Sequence, residues 1–303
     1  MSAPPRLFNR DLLRTRLNRA AAVYANADFL KRRAAEDAVV RLEAIMRDFP
    51  LAVDLGARNG AFAEALALSD AKPRVGHLIE ADLSSAMLSG RAGPRLVADE
   101  ERLPFAFGSL DLVISTLSLH WTNDVVGALI QIRRALKPDG LFIGSMLGGA
   151  TLTELRQSML AAEAELTGGA GPRVSPFADA YDAAGLLQRS GFALPVADVD
   201  RVTVRYAHPL KLLADLRAMG ETSVLAERHP RQLTRQVLAR AFELYIEKFA
   251  EPDGRVPATF EILTLTGWAP DPSQQKPLKP GSAKMRLADA LGVVENPLPR
   301  EEE

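Results

Sequence analysis

Cysteine is absent from all 303 residues. That absence excludes disulfides, thiolate zinc sites and cysteine nucleophiles, and it fits a reducing compartment. A large charge of either sign is also missing. The 37 basic and 38 acidic side chains leave a formal net charge of -1, so electrostatic capture by nucleic acid or an acidic membrane is not expected. No window reaches the roughly 18 consecutive apolar residues of a membrane span. The N-terminal "MSAPPRLFNRDLLRTRLNRAA" carries Asp11 early and has no apolar h-region, so it does not read as a secretory signal. Its arginines give it some likeness to a transit peptide, but a basic amphipathic helix belonging to the fold is the simpler reading. The chain therefore reads as a soluble, cytoplasmic protein with no nucleic-acid partner and no membrane insertion. Paired histidine spacing is lacking as well: His77, His120, His208 and His229 are scattered, so a two-histidine, one-carboxylate iron site finds no support and no metal is expected.

What is present alternates between two periods. Residues 10–48 are helical in pattern, with neither proline nor glycine between Asn9 and Pro50. Short apolar runs at 51–56, 74–82, 94–99, 110–118 and 141–147 read as buried strands. Helical segments at 61–68, near Ser85 and at 124–140 separate them; Asp124 caps the last and "KPDG" stops it. This alternation predicts an α/β, Rossmann-like fold with a mostly parallel seven-stranded sheet and helices on both faces. Beyond Met146 the pattern changes to helices at 151–167, 182–192, 209–219 and 230–250, with strands at 201–206 and 258–268. The last two strands thus enclose a helical insertion. The division expected is an N-terminal helical lid (1–48), a cofactor-binding core (49–150), a C-terminal half of the fold (151–269) and a loose tail (270–303).

The stretch "VDLGARNG" (53–60) joins a strand to a helix through a glycine turn. Backbone N–H groups and a positive helix end meet there, which suits an anionic or adenosine-bearing ligand. A lone glycine fingerprint is weak evidence. Asp82 strengthens it, with Glu80 as its rival: an acid about 20 residues past the loop is placed to hold a ribose diol. Asp99 ends the third strand, and "STLSLHW" ends the fourth at the edge where open sheets bind ligands. Acids leading the loop (Asp54) and closing the second and third strands favour S-adenosylmethionine over a dinucleotide.

In order, "VDLGARNG", "IEADLSSAML", "VADEERLPF", "LDLVISTLSLHWTND" and "ALKPDGLFIGSM" resemble the motifs of class I S-adenosylmethionine-dependent methyltransferases, among them the biotin-pathway malonyl-carrier-protein methyltransferases. A narrower resemblance rests on "LFNRDLLRTRLNRAA", "FIGSMLGGATLTELR", "VSPF", "LRAMGE", "GRVPATFEILTLTGW" and "GSA". These are similar to the mitochondrial complex I assembly factors of methyltransferase fold, which are protein-arginine hydroxylases; the chain would be a bacterial relative. The likeness runs from about Leu7 to Ala283. It implies S-adenosylmethionine as cofactor, bound by Asp54, Gly56, Ala57, Arg58, Gly60, Asp82, Leu83, Asp99, Glu100 and Ser115. It places His120 and Trp121 at the reacting centre, and it implies a protein substrate, possibly a complex I core subunit. The reaction would be hydroxylation or methylation of a protein arginine. The alternatives are a carboxyl methyltransferase of a small molecule or carrier protein, and a non-catalytic assembly chaperone.

The departure is Arg58, where both families carry glycine; Ala57 in place of the common cysteine is minor. The expectation is a repuckered, open loop in which Arg58 keeps a negative φ and Asn59, which tolerates the left-handed region, takes the turn. His120 is the best-placed base. Tyr24, Tyr181 and Glu221 are weaker candidates for the acceptor pocket.

Overall fold

The computed structural model describes residues 6–227, 233–275, 282 and 285–292. The chain divides into two units, Met1–Pro270 and Asp271–Glu303. Within the second, one short helix, α9 (Leu287–Leu291), is described. Most of the stretch expected to be a loose tail, including Gly281 and Ala283 of "GSA", lies outside the described residues, as does His229.

The first unit is built on one seven-stranded sheet ordered β3-β2-β1-β4-β5-β7-β6. Its strands are β1 (Phe49–Leu55), β2 (Val75–Asp82), β3 (Arg95–Val97), β4 (Leu110–Ser115), β5 (Leu136–Leu147), β6 (Ala193–Tyr206) and β7 (Val256–Trp268). The first five pair in parallel, and β7 runs antiparallel to both β5 and β6. Helices α3 (Ala61–Ala67), α4 (Val125–Ala135), α5 (Thr153–Thr167) and α6 (Ala180–Arg189) follow strands, while α7 (Pro209–Ala218) and α8 (Arg235–Phe249) form the insertion between β6 and β7. The α/β architecture expected from the alternating periods is the one observed.

Burial explains the strand patterns. β1 and β4 are mostly apolar because helices cover both faces, and Ala52, Val53, Leu112 and Ile114 are all fully buried. β6 alternates part-buried and exposed positions because it is an edge strand with one wet face. Charge flanks it on both faces: Arg33 pairs with Asp200 and Arg41 with Asp198 on one, and Arg201 with Glu261 on the other. Such charges blunt an open edge.

Three local expectations are corrected. The helical pattern over 10–48 is two helices, α1 (Arg10–Ala20) and α2 (Phe29–Glu43), separated by a 3-10 turn at Tyr24–Asn26. No helix breaker marks the division. It is tertiary: α1 packs Leu13 and Leu17 with Trp121, Leu83 and Val224, whereas α2 packs Ala35, Ala38 and Leu42 with Phe49 and Phe62, and one straight rod cannot meet both surfaces. Residues 85–90 form turns rather than a short helix, with the Met87 N–H donating to Ser84 Oγ at 3.2 Å. Helix α4 stops at Ala135, and "KPDG" lies within β5, with Asp139 at φ 60°. The caps are read correctly at Asp124, whose side chain accepts from Gly127 N.

Candidate functional site

The loop between β1 and α3 lies at the switch point of the sheet, where β1 sits between β2 and β4. Gly56 has φ 76°, and a Cβ built on it would stand 2.4 Å from Ser118, so both conformation and space demand glycine. The Gly56 and Ala57 N–H groups both donate to the Ala81 carbonyl, at 2.7 and 3.0 Å. Gly60 continues the turn at φ 81°.

Arg58 does not follow expectation. It takes the left-handed conformation itself, at φ 54°, and Asn59 is not among the positive-φ residues. Its side chain points neither outward nor toward an open pocket; the residue is 1% exposed. The Arg58 N–H donates to Asp82 Oδ2 at 2.9 Å, and its Nη1 donates to the same oxygen at 2.7 Å. The left-handed region costs a non-glycine residue about 1–2 kcal/mol. Two hydrogen bonds to one buried carboxylate offset that, since charge-assisted bonds are worth about 1.5–3 kcal/mol each. Asn59 is occupied elsewhere, donating through Nδ2 to Asp28 at 2.6 Å.

The other acids of the site are engaged in the same manner. Asp82 Oδ1 accepts from Ser84 N at 2.8 Å, whereas its rival Glu80 pairs with Arg91 at 3.0 Å. Arg10, the first residue of α1, donates from Nη2 to Asp99 Oδ1 at 2.6 Å and also to Glu100 Oε2; its Nη1 reaches the Trp121 carbonyl at 3.2 Å. Lys31, near the start of α2, donates from Nζ to the carbonyls of Gly56 and Thr116, at 2.7 and 2.6 Å. Ser115 Oγ and Ser118 Oγ lie 3.0 Å apart. Leu83 and Ala57 are buried apolar wall. Arg10 lies in the "LFNRDLLRTRLNRAA" stretch and Lys31 in no motif, but only the three-dimensional structure brings either of them to the site.

Several buried polar atoms here have no hydrogen-bond partner among the described residues: both oxygens of Asp54, Arg58 Nη2, Arg10 Nε and Thr116 Oγ1. Burial raises the Asp54 carboxyl from 3.8 to about 6, against the opposing charge of Lys31. Burial lowers the Lys31 ammonium from 10.5 to about 8, against the opposing charge of Asp54. Asp54 binds its proton more tightly in the folded state. The stability it contributes is full below its unfolded value and is lost as pH rises through about 6, by about 3 kcal/mol. The Lys31 contribution is full above its unfolded value and is lost as pH falls through about 8. Asp54→Asn removes the first limb. Urea unfolding of variant and wild type in parallel is expected to show the variant gaining about 3 kcal/mol on wild type between roughly pH 4 and pH 6.

Beyond the loop, His120 and Trp121 sit in a 3-10 turn at Leu119–Trp121 after β4. Both converge on Glu221, which follows α7 in the insertion. His120 Nε2 lies 3.1 Å and Trp121 Nε1 2.8 Å from Glu221 Oε2. His120 Nδ1 faces the Leu147 N–H at 3.5 Å, so both ring nitrogens are committed: Nε2 carries the hydrogen and donates to Glu221. Phe8 meets the Trp121 ring edge-on at 5.2 Å. A cavity of about 170 Å³ is lined by Trp121, Phe177, Leu213, Leu216 and Glu221, with Arg173 and Arg217 also on its wall. Glu221 is thus the carboxylate that faces this cavity, with Trp121 beside it on the wall and His120 behind it. Tyr24 is buried, and its hydroxyl is pushed far above its usual range, first by burial. Tyr181 belongs to α6, and its side chain lies outside the described residues. Among the described residues no three metal-ligating side chains cluster, and no helix is long and apolar enough to cross a membrane.

The methyltransferase-domain family matches residues 53–144, the segment that carries the loop, the strand-end acids and the His120–Trp121 turn. The chain is 40% identical over 290 residues to the mitochondrial arginine-hydroxylase NDUFAF5 of Danio rerio, covering 93% of this chain and 89% of that one. It is 31% identical to a malonyl-[acyl-carrier protein] O-methyltransferase from Methylovorus sp. strain MP688, over 97% of both. Among solved structures, a methyltransferase from Bacillus halodurans C-125 shares the fold at a TM-score of 0.52 and 16% identity, covering 78% of this chain and 99% of that one. One expectation is overturned. The arginine-hydroxylases matched are each named mitochondrial, against the cytoplasmic setting expected. The arginine-rich N-terminal stretch, read as part of the fold, is helix α1 from Arg10 onward.

Proposed function

The chain belongs to the family of the arginine-hydroxylase NDUFAF5, and from that premise we propose that it is a methyltransferase-fold enzyme that modifies a protein arginine, in the complex I setting its sequence motifs imply. The observation that carries this reading is the Glu221 carboxylate on the wall of a largely apolar cavity, fixed by His120 and Trp121. An acid in such surroundings suits a planar guanidinium, which presents its donors as a fork. Glu221 would bind and orient the substrate, while His120 and Trp121 position Glu221.

S-adenosylmethionine is the cofactor we propose for the switch-point loop. Its amino group, ribose hydroxyls and adenine amine are donors, and the residues here offer a matching set of acceptors: the Asp54, Asp82, Asp99 and Glu100 carboxylates and the Gly56 and Thr116 carbonyls. The two partnerless oxygens of Asp54 are the clearest sign that the cradle suits a donor-bearing ligand. When bound, this cofactor supplies an electrophilic methyl group. The protein's share is to hold the acceptor nitrogen near that carbon, since positioning alone supplies much of the rate in such displacements. We read α1 and the start of α2 as the lid over this cradle.

The similarity to the malonyl-carrier-protein enzyme keeps a carboxyl methyltransferase as the second reading. Deleting the gene and weighing the arginine-bearing core-subunit peptides of complex I separates the outcomes. Loss of one oxygen from a peptide is the result expected for a hydroxylase, and loss of one CH₂ for an arginine methyltransferase. Unchanged masses with reduced assembly identify a chaperone. Unchanged masses with normal assembly defeat the complex I reading.

A further inference from the structure

Each acceptor that the cofactor cradle offers, Asp54 apart, already holds a cation supplied by the chain. Lys31 Nζ bridges the Gly56 and Thr116 carbonyls, Arg58 holds Asp82, and Arg10 holds Asp99 and Glu100. The three donors are almost fully withdrawn from water: Lys31 is 2% and Arg58 1% exposed, and the Arg10 side chain is 10% exposed. A ligand whose polar groups are an ammonium, two hydroxyls and an amine asks for the same acceptors. Both cannot be satisfied at once, because a carbonyl or carboxylate given up by one donor must be taken by another or left unpaired, at a cost of about 1–3 kcal/mol per buried group.

We infer that Arg10 and Lys31, at the head of the N-terminal lid, are internal occupants of the cofactor cradle, and that S-adenosylmethionine enters by displacing them. The inference rests on the cofactor reading above and adds a gate to it. The two residues are anchored unequally. Lys31 stands one turn into α2, whose later turns bury Ala35, Ala38 and Leu42 against β1 and α3, so its side chain is the part free to leave. Arg10 belongs to α1, which holds on through Leu13, Leu17 and Ala20. A cavity of about 480 Å³ lined by Arg10, Asp99, Glu101 and Asn123 opens beside the Arg10 pairs, so an incoming ligand meets those pairs first. Arg58 differs from both, because its backbone N–H stays on Asp82 whatever its side chain does.

The partnerless atoms agree with an occupant that fits imperfectly. Lys31 satisfies two carbonyls but leaves Asp54 without a hydrogen bond, and Arg10 Nε and Arg58 Nη2 also have none among the described residues. The ligand's ammonium would bring donors for the Asp54 oxygens and its carboxylate an acceptor for the spare arginine N–H groups, so exchange replaces a partial fit by a fuller one.

The test is calorimetric titration of the full chain with S-adenosylhomocysteine, the demethylated and chemically stable probe, for wild type, Lys31→Met and Arg10→Gln. It is paired with amide hydrogen exchange of wild type with and without the probe. The expected result is that either variant binds at least tenfold more tightly than wild type, and that amides of residues 10–31 exchange faster once the probe is bound. Equal affinity across the three proteins, with no change in exchange over 10–31, overturns the gate and leaves the cofactor reading standing. No heat of binding from any of them, at millimolar probe, overturns the cofactor reading and the gate with it. Hydrogen exchange needs only the wild-type chain, so a variant that fails to fold does not remove the test.

Discussion

Arg58→Ala is expected to destabilise the fold by about 3–5 kcal/mol, because it leaves the Asp82 carboxylate buried without its cationic partner. Asp82 is fully buried and Arg58 nearly so, which puts the pair in the class where removing one partner is far more damaging than removing both. Arg58→Gly should be less harmful than Arg58→Ala by about 1 kcal/mol, since glycine takes the positive φ at position 58 without the Cβ penalty. Arg58→Met combined with Asp82→Asn should return most of the lost stability, as neutral side chains of similar volume commonly do. Urea unfolding of the four proteins decides this. If the alanine variant is as stable as wild type, Arg58 is not what holds Asp82. If glycine and alanine are equally damaging, the left-handed turn carries no strain. The glycine variant has a second use, since it removes the side chain that occupies Asp82 and should bind S-adenosylhomocysteine more tightly than wild type.

Glu221→Ala should be nearly as severe for stability and decisive for activity. It removes the acceptor shared by His120 Nε2 and Trp121 Nε1 and leaves two buried donors unsatisfied, each worth about 1–3 kcal/mol. Glu221→Gln is the more informative change. It keeps volume and one acceptor oxygen, so its stability loss should stay near 1 kcal/mol, while the charge facing the cavity is gone. If the cavity takes a guanidinium, the glutamine variant should show a strongly raised KM for the protein substrate and turnover at least 10²-fold lower. A glutamine variant with wild-type kinetics would remove Glu221 from substrate recognition and leave it the structural anchor of the His120–Trp121 turn.

The two predictions mark where reading the sequence succeeds and where it stops. The sheet is legible because strands buried on both faces write mostly apolar runs, as in β1, β4 and the Leu141–Leu147 part of β5. The loop is legible because glycines at 56 and 60 are demanded by local conformation, and local demands leave local traces. Arg58 was visible as a departure, yet its conformation was misjudged. What decides it is Asp82, 24 residues away, and no local preference of arginine reports that partner. Arg10 and Lys31 are two basic residues in an arginine-rich stretch, and their separation across the acids of three strands depends on the break between α1 and α2, which carries no proline or glycine. Glu221 carries little signal in the sequence for the same reason: its partners lie about 100 residues upstream, and only the packing of the insertion against the turn after β4 brings them together.

The sheet order has a consequence in time as well as in space. The β1–β5 half is complete at Leu147, but its outer strand β5 finds its neighbour only when β7 arrives at Val256. Synthesis runs from the N-terminus and domains fold as units, so a growing chain carries the whole cofactor half, Lys31 and Arg58 included, while β5 still shows an unpaired apolar rim of the kind that seeds association. Glu221 is made later, between Leu147 and Val256, and until β7 pairs the insertion that carries it has no closed sheet to pack against. The cradle thus precedes the substrate wall in the order of synthesis, and the rim of β5 stays unpaired until β7 is made.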